Sequence, residues 1–111
     1  MELAEIGKNI LTNCMNVKPG ENVLIVTDDE KYAIGQALYQ AAKLLKAEAM
    51  LMTMTAREVS GQEPPAVVAA AMKAAGVVIC PMKTSITHTR AKIEAAEAGA
   101  RIATMPGITE E

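Results

Sequence analysis

The run Val77-Val78-Ile79-Cys80 is apolar at every position, and its lack of alternation limits the fold more than any other stretch. A strand with one wet face alternates apolar and polar residues. A continuous, largely β-branched run suits a strand covered on both faces, as in a parallel sheet between helices. Val23-Leu24-Ile25-Val26-Thr27 is a second such run, Glu48 to Met54 a third strand, and Arg101 to Met105 a fourth.

Between the strands the apolar period changes to that of a helix. Leu3, Ile6, Ile10, Leu11, Cys14 and Met15 mark a leading amphipathic helix, stopped by the turn Lys18-Pro19-Gly20-Glu21. Asp28-Asp29-Glu30 is expected to open a second helix, where acids favour the positive end of the helix dipole. Its inward stripe reads Ala33, Ile34, Ala37, Leu38, Ala41, Leu44 and Leu45. Thr55 to Glu63 is the longest loop. Pro64-Pro65 starts a third helix with Val67, Val68, Ala71, Met72 and Ala75 inward, ended by Gly76. A fourth turns Ile93, Ala95 and Ala96 inward and stops at Gly99.

Strands alternating with helices predict parallel crossovers. The expected fold is α/β: a three-layer sandwich around a four-stranded parallel sheet, flavodoxin- or Rossmann-like, preceded by an N-terminal helix. Residues 1–111 form a single domain. The favoured strand order, 2-1-3-4, leaves a switch point between the first and third strands. There Thr27-Asp28-Asp29 would face Met82 to His88 across one crevice, whereas the rival order 3-2-1-4 would separate them.

Composition removes several functions. Half of the residues are apolar but Phe and Trp are absent, so the core rests on Leu, Ile, Val, Met and Ala. The methionine row Met50, Met52, Met54 is accordingly read as flexible core filling. A net charge of −2, with no basic patch interleaved with aromatics, speaks against nucleic acid as a partner. No run approaches the ~20 apolar residues of a membrane span, and Met1-Glu2-Leu3-Ala4-Glu5 lacks the basic start of a signal peptide. A cytoplasmic domain with no membrane partner is expected, its two cysteines, Cys14 and Cys80, free thiols.

The segment after the Val77 run carries most of the chain's chemistry. Lys83, Thr84, Ser85, Thr87, His88 and Thr89 gather a lysine, four hydroxyls and the single histidine at a helix start. Unpaired N–H groups there attract phosphate or carboxylate, so these six residues form a candidate anion site. The same hydroxyls also serve as helix caps, and both readings stand. Other chemistries lack residues. Asp28 and Asp29 resemble the acid pair of response-regulator receivers, but no phosphate-accepting aspartate follows the third strand. Ser85 and His88 have no neighbouring acid to orient the ring. One histidine and two scattered cysteines make no zinc site. Neither a catalytic residue nor a metal ligand is assigned.

Three blocks together resemble a known family. Val17-Lys18-Pro19-Gly20-Glu21-Asn22-Val23-Leu24-Ile25 is followed by Ser85-Ile86-Thr87-His88-Thr89-Arg90-Ala91-Lys92, then by Gly99-Ala100-Arg101-Ile102-Ala103-Thr104-Met105-Pro106-Gly107. In this order they resemble the amino-terminal domain of the thermophilic-type metal-dependent aminopeptidases, the aminopeptidase T family. The resemblance implies a non-catalytic N-terminal domain that borders the substrate cleft and supports a homodimer. The catalytic partner would be a carboxyl-terminal domain, absent here, holding divalent zinc or cobalt. The alternative expectation is a free-standing small-anion or nucleotide-binding module built on Lys83 to Arg90.

Overall fold

The computed structural model describes residues 11–12, 17–55, 63–82 and 89–106, the last three without their side chains. Four parallel strands, β1 (Asn22–Asp28), β2 (Glu48–Met54), β3 (Val77–Met82) and β4 (Arg101–Pro106), lie in the order β2-β1-β3-β4. Helices α1 (Tyr32–Leu44), α2 (Ala66–Ala74) and α3 (Arg90–Glu97) connect them. This is the expected α/β sandwich and strand order. Of the leading helix only Leu11 and Thr12 are described, and most of the loop from Thr55 to Glu63 also lies outside the described residues.

The side-chain alternation of β1 divides the core into two layers. Val23 and Ile25 join Ile34, Leu38, Ala41 and Ala42 of α1, together with Leu11, Val77 and Ile79. Leu24 and Val26 face the other way, against Val68 and Met72 of α2 and Ala91 and Ala95 of α3. All six residues of β3 are buried, as its unbroken apolar run requires.

The turns follow local chemistry. Lys18-Pro19-Gly20-Glu21 closes with Glu21 N–H donating to Lys18 O (3.2 Å), and Gly20 sits at φ +86°. Proline and then a glycine at positive φ make a type II turn. At the end of α3, Gly99 (φ +106°) donates to Ala96 O and Ala100 N–H to Ala95 O, the paired bonds of a Schellman motif. The end of α1 repeats that motif with Lys46 N–H to Lys43 O and Ala47 N–H to Ala42 O. There the left-handed position (φ +66°) is held by Lys46, a residue with a Cβ.

Several local expectations are corrected. β3 extends beyond the apolar run Val77–Cys80, through Pro81 to Met82, pairing Pro81 with Met105. α1 begins at Tyr32, so the acids Asp28 to Glu30 precede it. α2 ends at Ala74 rather than at Gly76. The inward faces also shift: Ala33, Leu44, Val67, Ile93 and Ala96 are exposed. In α1 the inner positions go to Gly35 and Ala42, because a helix packed close to a sheet keeps its smallest residues at the closest approach. Met54 is buried and Met52 half-buried, but Met50 is 42% exposed, so the methionine row fills the core only toward its end.

Candidate functional site

The strand order places a switch point between β1 and β3, the position where open α/β sheets form a crevice at their carboxyl edge. The ladder between these strands runs only from Val23↔Val77 to Ile25↔Ile79. Two residues further on, the Thr27 hydroxyl donates to the Pro81 carbonyl at 2.8 Å. A side-chain bond thus replaces the backbone bond that the register would otherwise supply. Proline fits this position because N–H and C=O of one residue in a parallel strand turn to the same side. Its missing donor therefore faces β1, where the ladder has already ended.

Thr27 is fully buried beneath Gly35 of α1. Asp28, also fully buried, accepts at Oδ1 from Glu30 N–H (3.1 Å) and Lys31 N–H (2.9 Å). That is an Asx turn feeding α1, and it gives this carboxylate a structural task. Asp29 is exposed, and its N–H ties β1 to the end of β2 through Met54 O (3.1 Å).

Of the six candidate anion-site residues, Lys83, Thr84, Ser85, Thr87 and His88 lie outside the described residues. Thr89 is described: it is fully buried, and its hydroxyl accepts from Lys92 N–H at 3.2 Å as the cap of α3. The next two donors are also engaged. Glu63, from the segment before α2, accepts from Arg90 N–H (2.6 Å) and Ala91 N–H (3.1 Å). A carboxylate of the chain itself therefore occupies the first turn of α3, where the helix dipole favours negative charge. The sequence did not reveal this contact. Its available signal was an acid fixed immediately ahead of Pro64-Pro65.

At the amino edge of the sheet a groove of about 260 Å³ is lined by Asn22, Leu24, Met50, Ala71, Ala74 and Ala75. Nearby, Arg101 of β4 pairs with Glu21, whose carboxyl is held below its ordinary value by that hydrogen bond and by the Lys18 N–H. Cys80 is a free thiol, 1% exposed, and burial pushes its pKa up to about 12. Such a thiol carries almost no thiolate and is a poor nucleophile. Among the described residues no three of His, Cys, Asp and Glu converge to hold a metal ion. No described helix is long and apolar enough to cross a membrane.

No protein-family model matches the chain, and no curated protein matches it in sequence. Among solved structures it is similar to 2,5-dihydroxypyridine dioxygenase from Pseudomonas putida KT2440, with a TM-score of 0.79 and 17% identity. The match covers 94% of this chain and 33% of that one, so the chain spans about a third of the dioxygenase's length. At this identity the likeness shows the fold. It overturns the resemblance to the aminopeptidase T family: the matching structure is an oxygenase, and neither an aminopeptidase nor a metallopeptidase supports the earlier reading. Of the three blocks behind that reading, the first contains a type II turn and the last begins with a Schellman stop, which many α/β chains share. Ser85 to His88 of the second lie outside the described residues. The free-standing anion or nucleotide module is likewise unsupported, since the described N–H groups at its helix start are already bonded to Glu63 and Thr89.

Proposed function

We propose that this chain is the α/β framework unit of an oxygenase-type protein acting on a hydroxylated aromatic ring, with its carboxyl edge bordering the substrate. One observation carries the reading: nearly the whole chain superposes on a third of a dioxygenase for 2,5-dihydroxypyridine. The geometry agrees with a supporting task. Asp28, Thr89 and Glu63 bond to backbone groups at helix starts on the carboxyl side of the sheet, and Thr27 bonds to Pro81 between β1 and β3. In this reading the oxidation itself relies on groups beyond those described.

The test is a titration of the ¹⁵N-labelled chain with 2,5-dihydroxypyridine, paired with an oxygen electrode. Amide shifts confined to Thr27–Asp29, Met82 and Thr89–Arg90, without oxygen uptake, are the expected result. Shifts centred on the amino edge, or none at saturating ligand, refute the bordering role. Oxygen uptake by the chain alone, with or without added divalent metal, refutes the framework role.

A further inference from the structure

β2 lies at one edge of the sheet, and among the described residues it pairs with β1 alone. Two bonds fix the direction of its backbone groups. Glu48 N–H donates to Glu21 O (2.8 Å), and Met54 O accepts from Asp29 N–H (3.1 Å), both on the β1 side. Successive residues of a strand turn their N–H and C=O to opposite edges. Glu48, Met50, Met52 and Met54 therefore address β1, while Ala49, Leu51 and Thr53 present theirs outward.

Natural sheets guard such edges with lysine, proline, bulges or short strands. The opposite edge strand, β4, starts at Arg101 and ends at Pro106. β2 has no comparable guard: it is seven residues long, with no proline and a single charge, Glu48, at its first position. Its first six residues are all partly or fully exposed.

We propose that this edge pairs with the same edge of a second copy of the chain, antiparallel and centred on Leu51. Charge and register select that arrangement. Leu51 meets Leu51 of the second copy, Ala49 meets Thr53, Met50 meets Met52, and Glu48 meets Met54. The two Glu48 carboxylates stand at opposite ends of the seam, whereas parallel in-register pairing would set them side by side. The outward residues 49, 51 and 53 meet only one another, so every outward N–H and C=O finds a partner. Met50 and Met52 of both copies then form one apolar strip, continuous with the groove over Leu24, Ala71, Ala74 and Ala75. The contact is isologous and closes on itself. It holds independently of the oxygenase reading.

Light scattering and sedimentation equilibrium test it. The chain of 11.7 kDa is expected at twice that mass. Thr53→Pro removes an outward donor but no bond to β1, so it should halve the mass while leaving the far-UV circular dichroism unchanged. Met50→Lys, at an exposed position, should do the same. In a Cys14→Ser background Leu51→Cys should form an intermolecular disulfide on oxidation, because facing hydrogen-bonded residues bring Cα atoms to about 5.5 Å. Thr53→Cys, facing Ala49, should not. A wild-type chain that stays at monomer mass into the millimolar range overturns the proposal. So does a dimer or larger assembly that survives both Thr53→Pro and Met50→Lys.

Discussion

Replacing Gly35 by alanine tests how closely α1 is seated on the sheet. In an exposed helix interior the change would stabilise by about 1 kcal/mol, the propensity difference between the two residues. Here a Cβ at position 35 would stand 2.8 Å from both Cβ and Cγ2 of Thr27 and 3.1 Å from its hydroxyl oxygen. Ordinary contact begins at 3.4 Å. Thr27 cannot rotate away from its own Cβ, and its strand is fixed on both sides, so the helix must lift by roughly 0.6 Å, a gap that forfeits about a quarter of each facing contact. Overpacking of this kind costs roughly 1–3 kcal/mol, and disturbing the Thr27–Pro81 bond adds about 0.5–1.5 kcal/mol. Set against the propensity gain, the net loss is about 0.5–3.5 kcal/mol. With a urea m-value of about 2 kcal/mol/M, the unfolding midpoint followed by circular dichroism should fall by about 0.3–1.7 M. Adding Thr27→Ala should recover only part of it, since the residue-27 Cβ remains. A midpoint equal to or above wild type for Gly35→Ala would refute the close seating of α1.

Lys46→Gly should raise stability by about 0.5–1 kcal/mol, because the left-handed C-cap penalises a Cβ; thermal unfolding reads it as an increase in Tm. Glu63→Gln should lower stability by about 1 kcal/mol in urea unfolding, because the amide keeps one acceptor oxygen where the carboxylate's two oxygens take Arg90 N–H and Ala91 N–H, and the charge is lost as well. The Glu21 carboxyl titrates below its ordinary value of 4.5, so its pairing with Arg101 contributes above that pH and is lost as pH falls through the folded value. Both side chains are about a third exposed, which limits the effect to ~0.2–1 kcal/mol, and Glu21→Gln should flatten the acid limb of a stability–pH profile accordingly. Cys80 should resist iodoacetamide at pH 8 in the folded chain and react fully in denaturant, as mass spectrometry would record.

The strands were legible because most of them are apolar runs bounded by Pro, Gly or acids, and such runs have few other uses; their order was not, since 2-1-3-4 and 3-2-1-4 fit the same runs. The helix faces were only partly legible. α2 reads Ala-Val-Val-Ala-Ala-Ala-Met and is apolar nearly all round, so periodicity alone could not turn Val67 outward. In α1, size outweighed hydrophobicity: Gly35 takes an inner position that a pattern of large apolar residues gives to its neighbours. At the crevice, the meeting of Thr27 with the end of β3 followed from the strand order. Glu63 did not, because its bond to Arg90 spans 27 residues and depends on how α2 and α3 lie together. Several motifs that suggested a family are local solutions to chain reversal, which is why they recur without common chemistry.

The two central strands are laced by their ladder as far as Ile25 and Ile79, and beyond it a hydroxyl, Thr27 to Pro81, ties them. Each strand is also held along its outer flank, β1 by β2 and β3 by β4. Replacing that one oxygen atom would therefore act on the seam between the strands and leave both outer ladders in place.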